Sequence, residues 1–174
     1  MREAADADRI RRLAKELGRS VPSGMRMYLT GGATAVLEGW RESTVDIDVR
    51  FEPDSDPALQ KIKELKETLN VNVELASPLD FLPPLPDWQA RSPFRFREGN
   101  LEVFDFDPYS QALSKLERGF ELDLEDVQSM VRSGRVEPAK LRDLFEAIEP
   151  ELFRFPAVDP PNLRAAVESL ASGD

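Results

Sequence analysis

The stretch VDIDVRF, residues 45–51, alternates strictly between apolar and charged side chains. Successive side chains of a β-strand point to opposite faces, so this alternation predicts a half-buried strand with Asp46 and Asp48 on the same face. Two residues along a strand span about 6.5 Å, which lets two carboxylates hold one divalent ion or share a pair of ions. The alternative interpretation is a solvated strand face without a ligand.

The neighbouring segments predict the order strand, helix, strand, helix, strand. The strands are MRMYLT (25–30), VDIDVRF (45–51) and VNVELA (71–76), and the helices cover about 33–40 and 57–69. The pair Gly31-Gly32 ends the first strand, where glycine supplies the backbone freedom that a tight turn needs. An amphipathic helix near the N-terminus precedes this unit.

The second half of the chain predicts a proline-rich loop, a hairpin and several helices. Proline interrupts both helices and central strands, so the segment 77–88 is predicted to be an ordered surface loop. Two strands at 94–99 and 101–106 are joined by a tight turn, and helices are predicted at 109–119, 124–132, 138–148 and 162–171. The chain is therefore predicted to have an α+β fold, with a small mixed β-sheet core flanked by helices (1–108) and a C-terminal helical region packed on that core (109–174).

The composition excludes several kinds of chemistry. The chain has no histidine and no cysteine, which removes imidazole bases, disulfides and thiolate zinc sites. Acid–base or metal chemistry must therefore use carboxylates, and the metal that fits them is a hard ion such as Mg²⁺ or Mn²⁺. The net charge of −10 argues against nucleic-acid binding over a broad surface, while a local basic patch stays compatible with it. The sequence has neither a membrane span nor a secretory signal, so we expect a cytoplasmic protein.

The Gly31-Gly32 turn, a short helix and RESTVDID (41–48) follow one another in the chain. This arrangement resembles the signature of the DNA polymerase β-type nucleotidyltransferase superfamily, in particular its small bacterial AbiEii-like and related uncharacterised members, several of which act as toxins in toxin-antitoxin pairs. The resemblance implies a nucleotidyltransferase core in which Gly31 and Gly32 cradle the nucleotide triphosphate. It also implies that Asp46 and Asp48 bind the metal ions that bridge the triphosphate.

The resemblance implies a third metal-binding carboxylate on a neighbouring strand. Glu74 in VNVEL is our first choice, because it lies on the next alternating strand after the Asp-x-Asp motif. Asp105 and Asp107 in FDFDP form a second Asp-x-Asp pair and are the rivals for this role. Their alternative interpretation is a strand end before Pro108.

The segment YSQALSKLERGFELDLEDVQSM (109–130) is similar to a helical segment of the same superfamily. Lys115 and Arg118 share one helix face, because residues three apart are neighbours on a helix. By this resemblance they neutralise the charge of the triphosphate, a task for which cationic side chains are suited. The alternative is an ion-pair network with Asp123 and Asp126 that joins two helices.

A departure from the resemblance concerns the phosphate-binding hydroxyl. Many superfamily members have Gly-Ser at the turn, whereas this chain has Ala33 after the two glycines. Thr34, Ser43 or Thr44 would then supply that contact.

Aromatic and arginine side chains follow the proline-rich segment. Arg95 and Arg97 could present positive charge to an acceptor RNA or nucleotide, with Trp88 available for base stacking. The favoured interpretation is a solvated strand face, with Trp88 covering the core.

The expected function is a metal-dependent nucleotidyltransferase, using Mg²⁺ or Mn²⁺, that moves a nucleoside monophosphate from an NTP to an acceptor hydroxyl. The acceptor candidates are a tRNA end or a protein, and the toxin resemblance adds a cognate antitoxin as a partner. One alternative is a catalytically weak or inactive module of the same fold that binds a partner, as an antitoxin does. A glycosyltransferase is a weaker alternative, because only about 45 residues precede the Asp-x-Asp motif.

Overall fold

The computed structural model describes residues 1–173, which form two compact units. The first unit contains Met1–Ser77 and Ser92–Phe106, and the second contains Pro78–Arg91 and the chain from Asp107 onward. The proline-rich segment therefore belongs to the second unit, although it lies in the chain between strands of the first. No helix among the described residues is long and apolar enough to cross a membrane.

A five-stranded mixed sheet forms the centre of the first unit, and it confirms the predicted α+β class. The strands are β1 (Met25–Thr30), β2 (Asp46–Glu52), β3 (Asn72–Leu75), β4 (Phe94–Glu98) and β5 (Leu101–Asp105), in the spatial order β3-β2-β1-β5-β4. β1 is antiparallel to β2 and parallel to β5, while β2 and β3 are parallel and β4 and β5 are antiparallel.

Three helices of the first unit pack on one face of this sheet. They are α1 (Ala7–Gly18), α2 (Gly32–Leu37) and α3 (Asp56–Thr68). Their apolar stripes meet alternate strand residues such as Leu29, Ile47 and Val103, which are all fully buried. α3 begins as the sequence predicts, because Ser55 accepts a hydrogen bond from the backbone N–H of Ala58 and proline stands in the first turn.

The second unit is helical. Its α-helices are α4 (Trp88–Arg91), α5 (Pro108–Arg118), α6 (Glu121–Arg132), α7 (Pro138–Ile148) and α8 (Pro160–Ser172), with 3₁₀ turns at Pro78–Asp80 and Glu149–Arg154. The proline-rich segment was predicted to be a loop, and it contains the first 3₁₀ turn and leads into α4. α6 begins three residues before the predicted position, because its N-cap residue Phe120 makes no side-chain capping bond that the sequence could signal.

Candidate active site

Asp46 and Asp48 lie on the face of the sheet opposite to the three helices. Ile47 and Val49, which alternate with them, are buried in the core, so both aspartates point to the other face, here named the carboxylate face. In the parallel pairing of β2 with β3, Asp48 stands beside Glu74 and Asp46 stands beside Asn72. The carboxamide of Asn72 donates to Asp46, and also to Glu74 at 3.3 Å. The structure thus brings Asp46, Asp48 and Glu74 to one edge of one face.

The chemistry of this donor set fits a hard divalent ion. Mg²⁺ is held in proteins by one or two carboxylates, with water and phosphate oxygens completing its octahedron. Asp46 and Asp48 are half-buried and Glu74 is exposed, so solvent and a ligand can reach them. Within residues 1–173, no three carboxylates are already gathered closely enough to form a metal cluster by themselves. A metal here would be held by the two aspartates together with oxygens from outside the chain.

The glycine turn lies against these carboxylates. Gly31 has φ 62° and ψ −132°, a left-handed region that favours glycine. A Cβ atom on Gly31 would lie 2.9 Å from Oδ2 of Asp48, so only a residue without a side chain lets the turn approach the carboxylate this closely. The turn and the Asp-x-Asp strand therefore form one continuous surface.

Gly32 makes a second close approach, to residues of the RESTVDID motif. A Cβ atom on Gly32 would lie 2.1 Å from Oγ1 of Thr44 and 3.5 Å from Nη1 of Arg41. The hydroxyl of Thr44 in turn donates to the backbone oxygen of Asp46 at 2.9 Å. Arg41 was not among the predicted site residues, and its place at the start of the same motif was the signal for it.

Replacement of Gly32 by alanine should lower the free energy of unfolding by about 1–3 kcal/mol, the usual cost of overpacking. The added methyl group collides with the branched side chain of Thr44, which is tied to Asp46. Urea unfolding of Gly32→Ala, Thr44→Gly and the double variant measures the coupling between the two positions. Strictly additive losses would contradict the steric origin of the effect.

The three candidate hydroxyl groups differ in their surroundings. Thr34 is 3% exposed within α2, and its hydroxyl donates to Oδ1 of Asp105 at 3.2 Å and lies 3.4 Å from the backbone oxygen of Leu29. Ser43 is exposed in the loop before β2, and Thr44 is half-buried beside Gly32. Thr34 therefore points into the interior of the unit, while Ser43 and Thr44 lie on the segment that leads into the Asp-x-Asp strand.

Asp105, one rival for the third carboxylate, lies on the helix-covered face of the sheet. It alternates with the buried residues Leu101 and Val103 and stands beside Leu29 in the pairing of β5 with β1. A β-bulge between Phe94 and Phe96 turns Arg95 towards it, and Nε of Arg95 donates to Oδ2 of Asp105 at 2.6 Å. Asp105 and the Asp46–Asp48 pair thus occupy opposite faces.

The same arginine also contacts Glu38, directly after α2. Arg95 was expected on a solvated strand face, and this expectation is wrong, because the bulge directs it into a largely buried ion-pair network. The network connects α2 to β4 and β5 and so supports the helix that begins at the glycine turn.

Substitution of Asp105 by asparagine should destabilise the protein by about 2–3 kcal/mol, because a buried hydrogen bond to a charged group is lost. Calorimetric unfolding measures the effect, with the exposed Asp54→Asn as a control that should stay within about 0.5 kcal/mol of the parent. Equal stability of the two variants would argue against this network.

Asp107, the other rival, belongs to the second unit and caps α5. Its carboxylate accepts from the backbone N–H of Tyr109 at 3.2 Å and from the hydroxyl of Ser110 at 2.8 Å. Arg91 adds two further bonds to it, at 3.1 and 2.8 Å. These partners occupy a fully buried carboxylate, which is typical of a structural N-cap.

Lys115 and Arg118 lie in the second unit, where they form an ion-pair network between α5 and α6. Lys115 Nζ lies 2.7 Å from Asp126 and 3.5 Å from Asp123. Arg118 donates to both carboxylate oxygens of Asp123, at 3.0 and 2.7 Å. The network that the sequence offered as an alternative is therefore present. Trp88 is also in this unit and is 4% exposed, as the favoured interpretation expects.

Arg26 and Tyr28 extend the carboxylate face along β1. Burial raises the pKa of the Tyr28 hydroxyl, and the neighbouring guanidinium of Arg26 opposes this shift. The nearby Tyr28 hydroxyl in turn raises the pKa of Arg26. Arg26 therefore adds a cationic group to this face, four residues along β1 from Thr30, the partner of Asp48.

The mixed sheet, the glycine turn and the Asp-x-Asp strand beside it are together typical of nucleotidyltransferases. Residues 8–154 match a family described as "Nucleotidyltransferase of unknown function (DUF6036)". The chain belongs to this family. Neither a curated protein nor a solved structure matches it.

Proposed function

We propose that this protein transfers a nucleoside monophosphate from an NTP to an acceptor hydroxyl and releases pyrophosphate. The observation that carries the proposal is the contact between the glycine turn and the Asp-x-Asp strand, where a Cβ atom on Gly31 would lie 2.9 Å from Asp48. A triphosphate placed on the turn lies directly beside the carboxylates. The family description supports the reaction class.

In this proposal Asp46 and Asp48 hold Mg²⁺ or Mn²⁺, and Glu74 contributes to a second metal position. The bound metal supplies Lewis-acid stabilisation of the phosphate charge. Glu74 also accepts the proton of the acceptor hydroxyl, because the chain offers no histidine for that task. The acceptor oxygen forms a bond to the α-phosphorus, while the bond between the α-phosphorus and the oxygen bridging the α- and β-phosphates breaks. Pyrophosphate leaves with the electron pair of the broken bond.

The backbone of Gly31 and Gly32 cradles the phosphates in this scheme, with Ser43 or Thr44 as the hydroxyl contact. Arg41, which lies near Gly32, adds a cationic group at the turn. We retain Lys115 and Arg118 as further candidates for balancing triphosphate charge, on the strength of the motif alone.

The AbiEii-like resemblance adds a cellular role, an acceptor and a partner to the proposal. The protein is then the toxin of a toxin-antitoxin pair in the cytoplasm, its acceptor is a tRNA end or a protein, and a cognate antitoxin is its partner. A second candidate is a catalytically weak module of the same fold that binds a partner. Ala33 at the turn and the inward direction of the Thr34 hydroxyl favour this candidate, because both remove a phosphate contact near the glycines.

Incubation with Mg²⁺, each labelled NTP, and either total RNA or total protein tests the two candidates. We expect label transfer to one acceptor class, with release of pyrophosphate, and calorimetric binding of at least one NTP. If no NTP binds with either Mg²⁺ or Mn²⁺, the proposed enzymatic activity is contradicted, and the second candidate, the module that binds a partner, is favoured.

A further inference from the structure

Two phenylalanine rings and two arginines lie on the carboxylate face, on β1, β5 and β4. The pairing registers place Arg50, Tyr28, Phe104 and Phe94 in one row across β2, β1, β5 and β4. Because side chains in register point to the same face, this row shares its face with Asp46 and Asp48. The aromatic end of the row and the carboxylates therefore lie on one face of the sheet, with the fully buried Tyr28 between them.

The ring at the end of the row, that of Phe94, is accessible. Phe94 is 58% exposed and packs edge-to-face against Phe104, with ring centroids 5.6 Å apart. The guanidinium of Arg26 lies over the ring of Phe104, 5.3 Å from its centroid. An exposed aromatic ring beside arginines is the arrangement on which unpaired bases stack.

The charges of this region suit phosphate groups. The side chain of Arg97 is 57% exposed, and its ion pair with Glu102 is long, at 3.8 Å. Arg26 pairs with the same Glu102 at 3.7 Å. Both separations exceed hydrogen-bond length, so a phosphate oxygen bound at about 2.8 Å would interact more strongly with either guanidinium.

The position of the rings relative to the carboxylates fits a short strand of nucleotides. β4 is the third strand from β2, which corresponds to about 14 Å at the usual strand spacing. Asp48 lies two residues along β2 from the row, a further step of about 7 Å. A single-stranded segment of a few nucleotides is long enough to span this distance.

We propose that Arg26, Phe94, Arg97 and Phe104, here named the aromatic–arginine patch, bind the single-stranded end of a nucleic acid whose terminal hydroxyl is the acceptor. This inference rests on the proposed function and adds the acceptor class to it. A nucleic acid is favoured over a protein acceptor because it offers repeated phosphates to the two arginines and a base to the exposed ring. The chain as a whole has a net charge of −10 and repels phosphate groups, whereas the arginines of this patch attract them locally.

The test uses the full chain, a labelled single-stranded RNA of mixed sequence, the corresponding DNA and an RNA duplex, with binding measured by fluorescence anisotropy. Phe94→Ala/Arg97→Gln is compared with Phe153→Ala/Arg154→Gln. The control pair is also an exposed phenylalanine beside an arginine with a long ion pair, at 3.8 Å to Glu151, and it lies in the second unit. NTP binding is measured in parallel by calorimetry with Mg²⁺.

We expect the patch variant to bind the single strand at least fivefold more weakly than the parent. The slope of log binding constant against log salt concentration should become shallower by about one. The control variant and NTP binding should be unchanged, and the duplex should bind more weakly than the single strand because its bases are already stacked. Stronger binding of RNA than of DNA would identify RNA as the acceptor source, and the reverse order would identify DNA.

Equal affinity of the patch and control variants would overturn the inference, as would nucleotide transfer to protein without any binding of single strands. If the parent protein binds single strands but no NTP, the proposed nucleotidyltransferase activity is contradicted, whereas nucleic-acid binding by the aromatic–arginine patch is supported.

Discussion

The double variant Asp46→Asn/Asp48→Asn should lose nucleotide transfer by roughly a thousandfold or more while remaining folded. Several kcal/mol of metal-dependent stabilisation are removed, and each 1.36 kcal/mol corresponds to a factor of ten in rate. Without a cation the two carboxylates repel each other, so the variant should be as stable as the parent or slightly more stable. Mg²⁺ with an NTP should raise the melting temperature of the parent protein but not that of this variant.

A matched control stands a few residues further along the chain. Asp54 and Asp56 have the same spacing, lie in the same unit and are both exposed. Asp54→Asn/Asp56→Asn should keep both transfer activity and the Mg²⁺-dependent thermal shift. If both double variants retain transfer, the Asp-x-Asp pair is a solvated strand face, which is the alternative that its alternation pattern left open.

Lys115→Met should lower the free energy of unfolding by about 3–5 kcal/mol, because it removes the ammonium group that lies 2.7 Å from the buried carboxylate of Asp126, while Arg118 still pairs with Asp123. Asp123 and Asp126 are only 2% and 3% exposed, so water cannot replace the ammonium group. Urea unfolding near neutral pH provides the measurement. Lys61→Met is the matched control, since Lys61 has an ion pair of equal length, 2.7 Å, with the exposed Glu64, and its loss should cost at most about 1 kcal/mol.

A second variant separates stability from nucleotide binding at this position. Lys115→Met/Asp126→Leu replaces a buried ion pair by apolar groups, which is often neutral and should restore most of the stability. If this restored variant binds NTP more weakly than the parent, Lys115 also contacts the nucleotide. If the NTP affinity is unchanged, the role of Lys115 is limited to the ion pairs that join α5 and α6.

The sequence predicted those features that depend on local patterns. The alternation of residues 45–51 placed Asp46 and Asp48 on one face, and the glycine pair marked the turn before α2. These predictions succeeded because a strand's period of two and a glycine's backbone freedom are properties of a few consecutive residues. The position of Glu74 beside Asp48 also follows from the strand–helix–strand order, since such a crossover joins parallel strands.

The remaining features depend on contacts between distant residues. Asp105 looked equivalent to Asp46 in the sequence, and only the pairing of β5 with β1 decides which face it occupies. The bulge that turns Arg95 inwards has no signal such as glycine at its position. The inward direction of Thr34 likewise reflects its contact with Asp105, 71 residues away in the chain.

The parallel pairing of β1 with β5 has a consequence for synthesis of the protein. Met25 is paired with Leu101, so β1, the central strand, keeps one unpaired edge until the ribosome has released the chain beyond Asp105. Segment 78–91 of the second unit emerges before that edge is covered. Pairings between such distant residues form slowly and leave strand edges exposed to aggregation. Nascent chains that end before β5 should therefore depend on chaperones, whereas those that extend past residue 106 can close the sheet.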